Sequence, residues 1–287
     1  MEHWLNVIIQ GVLLGGLYAL FAAGLSLIFG IMRLVNIAHG DLIIVAAYLA
    51  WTAMHLLGVG PFVALILILP VVAVLGYGLQ RALLNRTLGD ELPPLLVTIG
   101  LSVIIQNVLL LVFTPDTHRL QAGAIEVASL PISSEISIGV LPLLQFGVAV
   151  AVIGGLQYLF YRTALGRAFR ATADDGEVAQ LVGLENRHVF GLAMALSLVV
   201  VAIAGVFIAI RVNFDPFSGP SLLIFGFEAV IIGGLGSLWG TLAGGILLGI
   251  AQTIGGQINV GLPFLAGHLV FLAVLLVRPQ GLFPKVA

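Results

Sequence analysis

The feature that most constrains this chain is its succession of long apolar runs. Stretches near 5–30, 37–57, 61–80, 95–113, 140–160 and 189–210 are almost free of charge, and a further apolar stretch, about 222 to 277, is broken by glycine clusters. A hydrocarbon core of about 30 Å is crossed by roughly 20 apolar residues of helix, so each run is long enough to span a membrane. Only 8% of the 287 residues are charged, whereas a soluble domain needs about 25% to cover its surface. The sequence therefore predicts an all-α polytopic membrane protein, a single transmembrane domain over 1–287. It should hold about 8–9 transmembrane helices, with a broken or re-entrant segment near 225–240.

Arginine placement sets the expected orientation, because loops that stay in the cytoplasm carry the excess positive charge. Arg33 follows the first span, Arg81 and Arg86 the third, and Arg162, Arg167, Arg170 and Arg187 the fifth. The alternate loops hold only Arg119 and Arg211, so the N-terminus is expected outside and the loop at 162–188 in the cytoplasm. Arg278 and Lys285 then favour a cytoplasmic C-terminus, which three short crossings between 222 and 277 would give. The first apolar run is too long for a signal-peptide core and lacks a basic region before it, so it is expected to remain as a span. The segment 114–139 should lie outside as a loop with a small extended element, either a solvated connector or a docking surface.

Several chemistries are excluded by what the sequence lacks. A net charge of −2 and dispersed arginines offer no field for nucleic acid. Without cysteine there is no disulfide, thiolate nucleophile or cysteine-held metal. The lone lysine, Lys285, stands outside any GxxxxGK[ST] loop, so ATP hydrolysis would need another polypeptide. No GxSxG, HExxH or paired-aspartate metal motif occurs, and no cofactor or metal site is expected.

Polar residues set into apolar helices are the candidates for a solute path, since each is costly in lipid. Asn36, His39 and Asp41 enter the start of the second run: Asn36 can cap a helix beginning near Ile37, and Asp41 suits the positive end of its dipole. Capping explains Asn36 as well as a gate does, but accounts less well for His39 and Asp41 together. Glu228 is the lone ionisable residue between Asp215 and His268. It either contacts solute or accepts hydrogen bonds from amides freed by the glycine-broken segment after it. Tyr18, Ser26 and Ser237 join this group. Gly236, Gly240 and Gly244 recur every four residues, a spacing that packs helices closely in lipid; the alternative is an irregular turn lining a cavity at 233–237.

The arginine-rich loop 162–188 carries the other signal. Asp174 or Asp175 can cap a helix of about two turns in which Val178, Ala179, Leu181 and Val182 are apolar, with Gly183 ending it. Two turns are not stable alone in water. Such a helix needs a membrane surface or a partner protein to lie on, and its mixed charge disfavours lipid.

Gly16-Leu-Tyr-Ala-Leu20, Asn36-Ile-Ala-His-Gly-Asp-Leu42, Gly166-Arg-Ala-Phe-Arg-Ala171, Gly183-Leu184, Gly233-Gly-Leu-Gly-Ser237 and Arg278-Pro-Gln-Gly-Leu-Phe283 together resemble the branched-chain amino acid ABC transporter permeases, most of all their smaller H-type. The resemblance runs over nearly the whole chain. It implies a permease of the bacterial inner membrane, multi-pass, paired with a homologous second permease, seated on two cytoplasmic ATP-binding subunits and supplied by a periplasmic substrate-binding protein. It also implies that 114–139 is periplasmic and that Asp174 to Gly183 is the coupling helix meeting an ATPase. Related permeases carry urea, amides and aromatic acids as well, so the motifs leave the solute open. A self-contained channel or secondary transporter relaying ions through Asp41, His39 and Glu228 is the rival reading, and a membrane-embedded enzyme a third.

Overall fold

A computed structural model of the protein describes residues 2–87, 92–133 and 136–283. Lys285, which entered the orientation argument, lies outside the described residues. The chain runs α1 (Glu2–Met32), α2 (His39–Leu57), α3 (Pro61–Ala82), α4 (Leu92–Phe113), α5 (Ala124–Val127), β1 (Ser129–Pro131), β2 (Ser137–Gly139), α6 (Val140–Arg162), α7 (Ala164–Asp174), α8 (Gly176–Leu181), α9 (Asn186–Arg211), α10 (Gly219–Gly233), α11 (Leu238–Ile258) and α12 (Pro263–Val277). Among the described residues, seven helices are long and apolar enough to cross a bilayer: α1, α2, α3, α4, α6, α9 and α11. Helices α10 and α12 have 15 residues each, about 22 Å of helix against a core of about 30 Å. Three helices do occupy the glycine-broken stretch, but the two outer ones are too short to cross it squarely.

Helices α1 and α9 form the centre and are buried along most of their length. Lipid itself supplies no hydrophobic drive for helices to associate, so close backbone packing must hold them. The tightest seam joins α1 to α11. A Cβ on Gly15 would collide with the Ile246 backbone, and one on Gly249 with the backbone of Gly11 and Gly15. Gly11 and Gly15 on one helix, and Gly245 and Gly249 on the other, share the four-residue spacing that lays glycine along one face. Around this centre α3, α4 and α12 expose Ile66, Val74, Ile104, Leu111 and Leu276, an apolar outer surface suited to lipid.

Two connections do not stay at the ends of the bundle. After α1 the segment Arg33–Ala38 doubles back, so that the His39 ring meets the Phe21 carbonyl at 3.0 Å, about three turns from the end of α1. After α9 the chain returns in the opposite sense: Phe214 packs on Tyr48 of α2, and Gly219 then abuts Gly40 and Asp41. The expected break near 225–240 is thus a tight turn at Gly234–Ser237 between α10 and α11, and the re-entrant segments are 33–38 and 212–218. Both fall between the apolar runs and carry polar residues, Arg33 and Asn36 in one and Asn213 and Asp215 in the other, so by hydropathy they read as ordinary connecting loops.

The extended element expected in 114–139 is the antiparallel pair β1–β2, with Leu130 opposite Ile138. Glu135 lies outside the described residues. The segment is fastened to the end of α9: Leu120 N–H donates to the Ala209 carbonyl at 2.9 Å, and Arg119 Nε donates to the Ile210 carbonyl at 3.0 Å. Arg119 also pairs with Glu126 at 2.7 Å.

Candidate functional site

The first polar group sits where the two re-entrant segments meet. Asn36 does not cap a helix starting at Ile37; the helix starts two residues later, at His39. Asn36 Oδ1 instead accepts from the Ala38 N–H at 3.1 Å, an Asx turn that leads into the helix. His39 must carry its proton on Nε2, because the partner there is the Phe21 carbonyl. Asp41, 1% exposed, accepts from Gln106 Nε2 at 3.0 Å.

The N-terminus of α10 lies against the same carboxylate: a Cβ on Gly219 would collide with Asp41 Oδ1 and its backbone. Helices α2 and α10 therefore start from one depth, run to opposite ends of the bundle, and point both N-termini at Asp41. Each N-terminus carries roughly half a positive charge, so one carboxylate balances the pair. The sequence reading missed the α4 residues that complete this group. Thr98, Ser102 and Gln106 fall four apart on one face. Thr98 Oγ1 accepts from the Ile37 N–H at 3.2 Å, and Gln106 binds both Asp41 and Ser102.

The second group centres on Glu228. It receives no hydrogen bond from the backbone amides after α10, contrary to one of the two expectations, and pairs instead with His268 Nδ1 of α12. Its other oxygen, Oε2, is buried without a hydrogen-bond partner. The Glu228 side chain is 5% exposed and that of His268 45%. Phe225, one turn before Glu228, stacks on the His268 ring with 6.2 Å between centroids and lies 5.3 Å from the ring of Tyr18. Tyr18 in turn donates to Gln252 of α11, whose Nε2 has no partner. Neither His268 nor Gln252 was singled out from sequence, although His268 is the lone ionisable residue of the last helix.

A cleft of about 390 Å³ opens beside this group, between the first half of α1 and the end of α11. Its walls carry His3, Asn6, Gln10, Gln252, Thr253 and Gln257, and His3 and Gln257 meet across it at 3.2 Å. Its inner end is Gln252, the partner of Tyr18. Tyr18 and Glu228 thus belong to one constellation, and Asn36, His39 and Asp41 to another. No hydrogen bond among the described residues joins the two. Ser26 and Ser237 belong to neither; they line a smaller cavity at the arginine-bearing end.

The glycine stripe is only partly helical. Gly236 is in the turn, with φ +79°, and faces Gly30. Gly240 and Gly244 face Gly233 and Ala229 of α10, where a Cβ would strike carbonyl oxygens, and this pins α10 to α11 as a hairpin.

The segment 162–188 folds as two helices rather than one. Helix α7 is capped by Thr163, which accepts from Gly166 N–H at 3.1 Å, and is anchored by Phe169, fully buried. Burying a phenylalanine contributes about 2 kcal/mol. Asp174 is the last residue of α7, while Asp175 caps α8, accepting from Glu177 and Val178 N–H at 2.9 and 3.0 Å. Gly183, at φ +91°, closes a Schellman turn in which Leu184 N–H donates to the Ala179 carbonyl at 3.0 Å. Val178, Leu181 and Val182 are 53%, 86% and 72% exposed, but Ala179 is 2% exposed. The expectation that Ala179 meets a partner is therefore corrected: it faces the chain's own bundle. At its base Glu185, at the start of α9, pairs with Arg81 at 2.5 Å, which holds its carboxyl below the usual carboxylate range.

Comparison with known proteins agrees with this architecture. The family described as branched-chain amino acid transport system, permease component, matches residues 7–278. The high-affinity branched-chain amino acid transport system permease protein BraD of Pseudomonas aeruginosa is 29% identical over 99% of this chain and 96% of its own length. LivH of Escherichia coli is 26% identical over 99% of this chain and 96% of its own. The probable branched-chain amino acid transport permease protein LivH of Methanocaldococcus jannaschii is 27% identical over 96% and 92%. No solved structure matches the chain significantly. A match of this extent places transport, rather than catalysis or a self-contained channel, as the role of the chain, which belongs to the branched-chain amino acid transport system permease family.

Proposed function

We propose that the chain forms one half of the path by which an ATP-binding-cassette importer of the bacterial inner membrane takes up branched-chain amino acids, with a homologous permease forming the other half. The observation that carries this reading is the polar cleft ending at Gln252, the partner of Tyr18, from which Phe225 leads to the Glu228–His268 pair. Its volume falls within the range of small-molecule sites, about 300–1,000 Å³. A half-exposed histidine on an otherwise apolar helix is costly against lipid, so the α10–α12 face suits a water-filled path or a second chain. A carboxylate and an imidazole, near a cleft lined by the amides of Asn6, Gln10, Gln252 and Gln257, offer partners to both ends of a zwitterion without a dense ring of charge. The same solute specificity is named for BraD and LivH.

ATP hydrolysis is assigned to two partner subunits, and solute delivery to a periplasmic binding protein. Helices α7 and α8, with Asp174, Asp175 and Gly183 shaping them, present Val178, Leu181 and Val182 to the ATPases on the cytoplasmic side, while 114–139 faces the periplasm. Because the chain has no cysteine, Gln257→Cys introduces a single label site. An impermeant thiol reagent applied to intact cells should modify it, and leucine with its binding protein should slow that modification. Labelling only after the cells are opened, or at a rate leucine leaves unchanged, would contradict the assignment of the cleft.

A further inference from the structure

The cavity at the arginine-bearing end is not used by this reading. It has a volume of about 150 Å³ and lies among α1, α6, α7 and the start of α11, lined in part by Ser26, Gln157, Arg170 and Ser237. Among the described residues no carboxylate lines it, and Arg170 is its one charged lining residue. Three sets of donors converge there, and none of them is hydrogen-bonded to an acceptor among the described residues. The Ser26 hydroxyl is buried, the residue being 1% exposed, and has no hydrogen-bond partner. Arg170 Nη1 is likewise buried and unpartnered. Leu238 and Trp239 occupy the first two positions of the 21-residue helix α11, where backbone N–H groups have no acceptor within the helix. The capping oxygen of Ser237 accepts only from Gly240 N–H.

A guanidinium, a hydroxyl and a helix N-terminus around one small space match a phosphate oxyanion, since each donates and the helix dipole adds positive potential. We propose that this cavity is a phosphate-binding site. The flanking side chains favour a phospholipid headgroup over the free ion. Trp239 is 48% and Tyr161 59% exposed, the placement of aromatic residues at a membrane–water interface, and Arg170 lies 5.1 Å from the centre of the Tyr161 ring. A headgroup held there would brace α7, and so α8, against α1 and α11.

The test uses the full-length permease in phosphatidylcholine nanodiscs, titrated with phosphatidylglycerol or with inorganic phosphate, reading the thermal unfolding midpoint and the lipid retained in native mass spectra. Phosphatidylglycerol should raise the midpoint and stay bound. The concentration giving half the effect should rise about tenfold in Arg170→Gln and about threefold in Ser26→Ala. Arg167→Gln removes an exposed arginine of the same helix and should leave it unchanged. Equal protection by inorganic phosphate, lost in the same variants, would keep the site and make the free ion its ligand. Protection by phosphatidylglycerol that survives both Arg170→Gln and Ser26→Ala, or protection of the wild type by neither compound, would overturn the proposal. Leucine uptake is not read, so the outcome is independent of the transport assignment.

Discussion

Asp41 and Glu228 are both buried carboxylates inside the membrane bundle, 1% and 4% exposed, and their surroundings separate them. Asp41 lies where two helix N-termini meet and takes a hydrogen bond from Gln106. Glu228 lies mid-helix and shares His268 across a half-exposed face near a polar cleft; each carboxylate keeps one buried oxygen, Asp41 Oδ2 and Glu228 Oε2, without a partner among the described residues. The first carboxylate is enclosed by positive backbone ends that need it whether or not solute is present. The second stands beside a path, paired with a half-exposed histidine rather than with helix ends. Burial alone, which is nearly equal for the two, does not distinguish a structural charge from a transport charge; the identity of the partners does.

The largest effect should come from filling the junction at Asp41. A Cβ on Gly40 meets the Gly219 carbonyl, a backbone atom that cannot turn aside. Overpacking of a rigid contact costs about 1–3 kcal/mol or more, so Gly40→Val should sharply reduce the yield of folded protein, measured by size-exclusion chromatography in detergent. Asp41→Ala should follow, at about 2–3 kcal/mol, from the lost charged hydrogen bond and the unbalanced helix ends; unfolding in a denaturing detergent would measure it.

A third prediction tests whether the end surface behaves as a separate region. Leu181→Ala should leave thermal stability within about 0.5 kcal/mol, because the side chain is exposed and touches little. It should nevertheless reduce the ATPase subunits recovered with the permease. Ala179→Glu is not its equivalent, since Ala179 is buried in the chain's own fold and that variant would disturb α8 itself.

The smallest effect belongs to an exposed carboxylate, Glu185. Arg81 holds its carboxyl below the ordinary value of about 4.5. A depressed carboxyl stabilises the fold above its unfolded value, and that contribution fades as pH falls through the lower folded value. The unfolding midpoint should therefore drop slightly below about pH 4.5, less so in Glu185→Gln. The pair is exposed, so added salt should shrink the difference.

How much of this was legible in the sequence depended on the physical signal. Helix positions followed from apolar length, and the ends of α2 and α6 fall close to their expected limits. The re-entrant segments were not legible, because 31–36 and 211–221 lie between apolar runs and read as loops at the bundle ends; nothing in local sequence marks the depth to which a connection returns. The break was expected near 225–240 because glycine marks turns, and it lies at Gly234–Ser237 as the turn of the α10–α11 hairpin. Individual polar residues were visible, but their grouping was not. His268 is 40 residues from Glu228 and Gln106 is 65 from Asp41, and nothing in local spacing links such pairs. The stripe Thr98–Ser102–Gln106 and the run His3, Asn6, Gln10 did carry helical spacing, the signal by which the α4 contacts and one wall of the cleft are recognisable.

The division between the two carboxylates is tested most directly by measuring leucine uptake and thermal stability together for Glu228→Gln and Asp41→Asn. Glu228→Gln keeps the shape of the side chain and should lower uptake at least about tenfold, with stability within about 1 kcal/mol of wild type. Asp41→Asn should lower stability by more than Glu228→Gln does, while the protein that remains folded keeps its uptake per molecule. Normal uptake in Glu228→Gln, or uptake lost in fully folded Asp41→Asn, would contradict the account and move the solute path from the α1–α11 cleft to the α2–α10 junction.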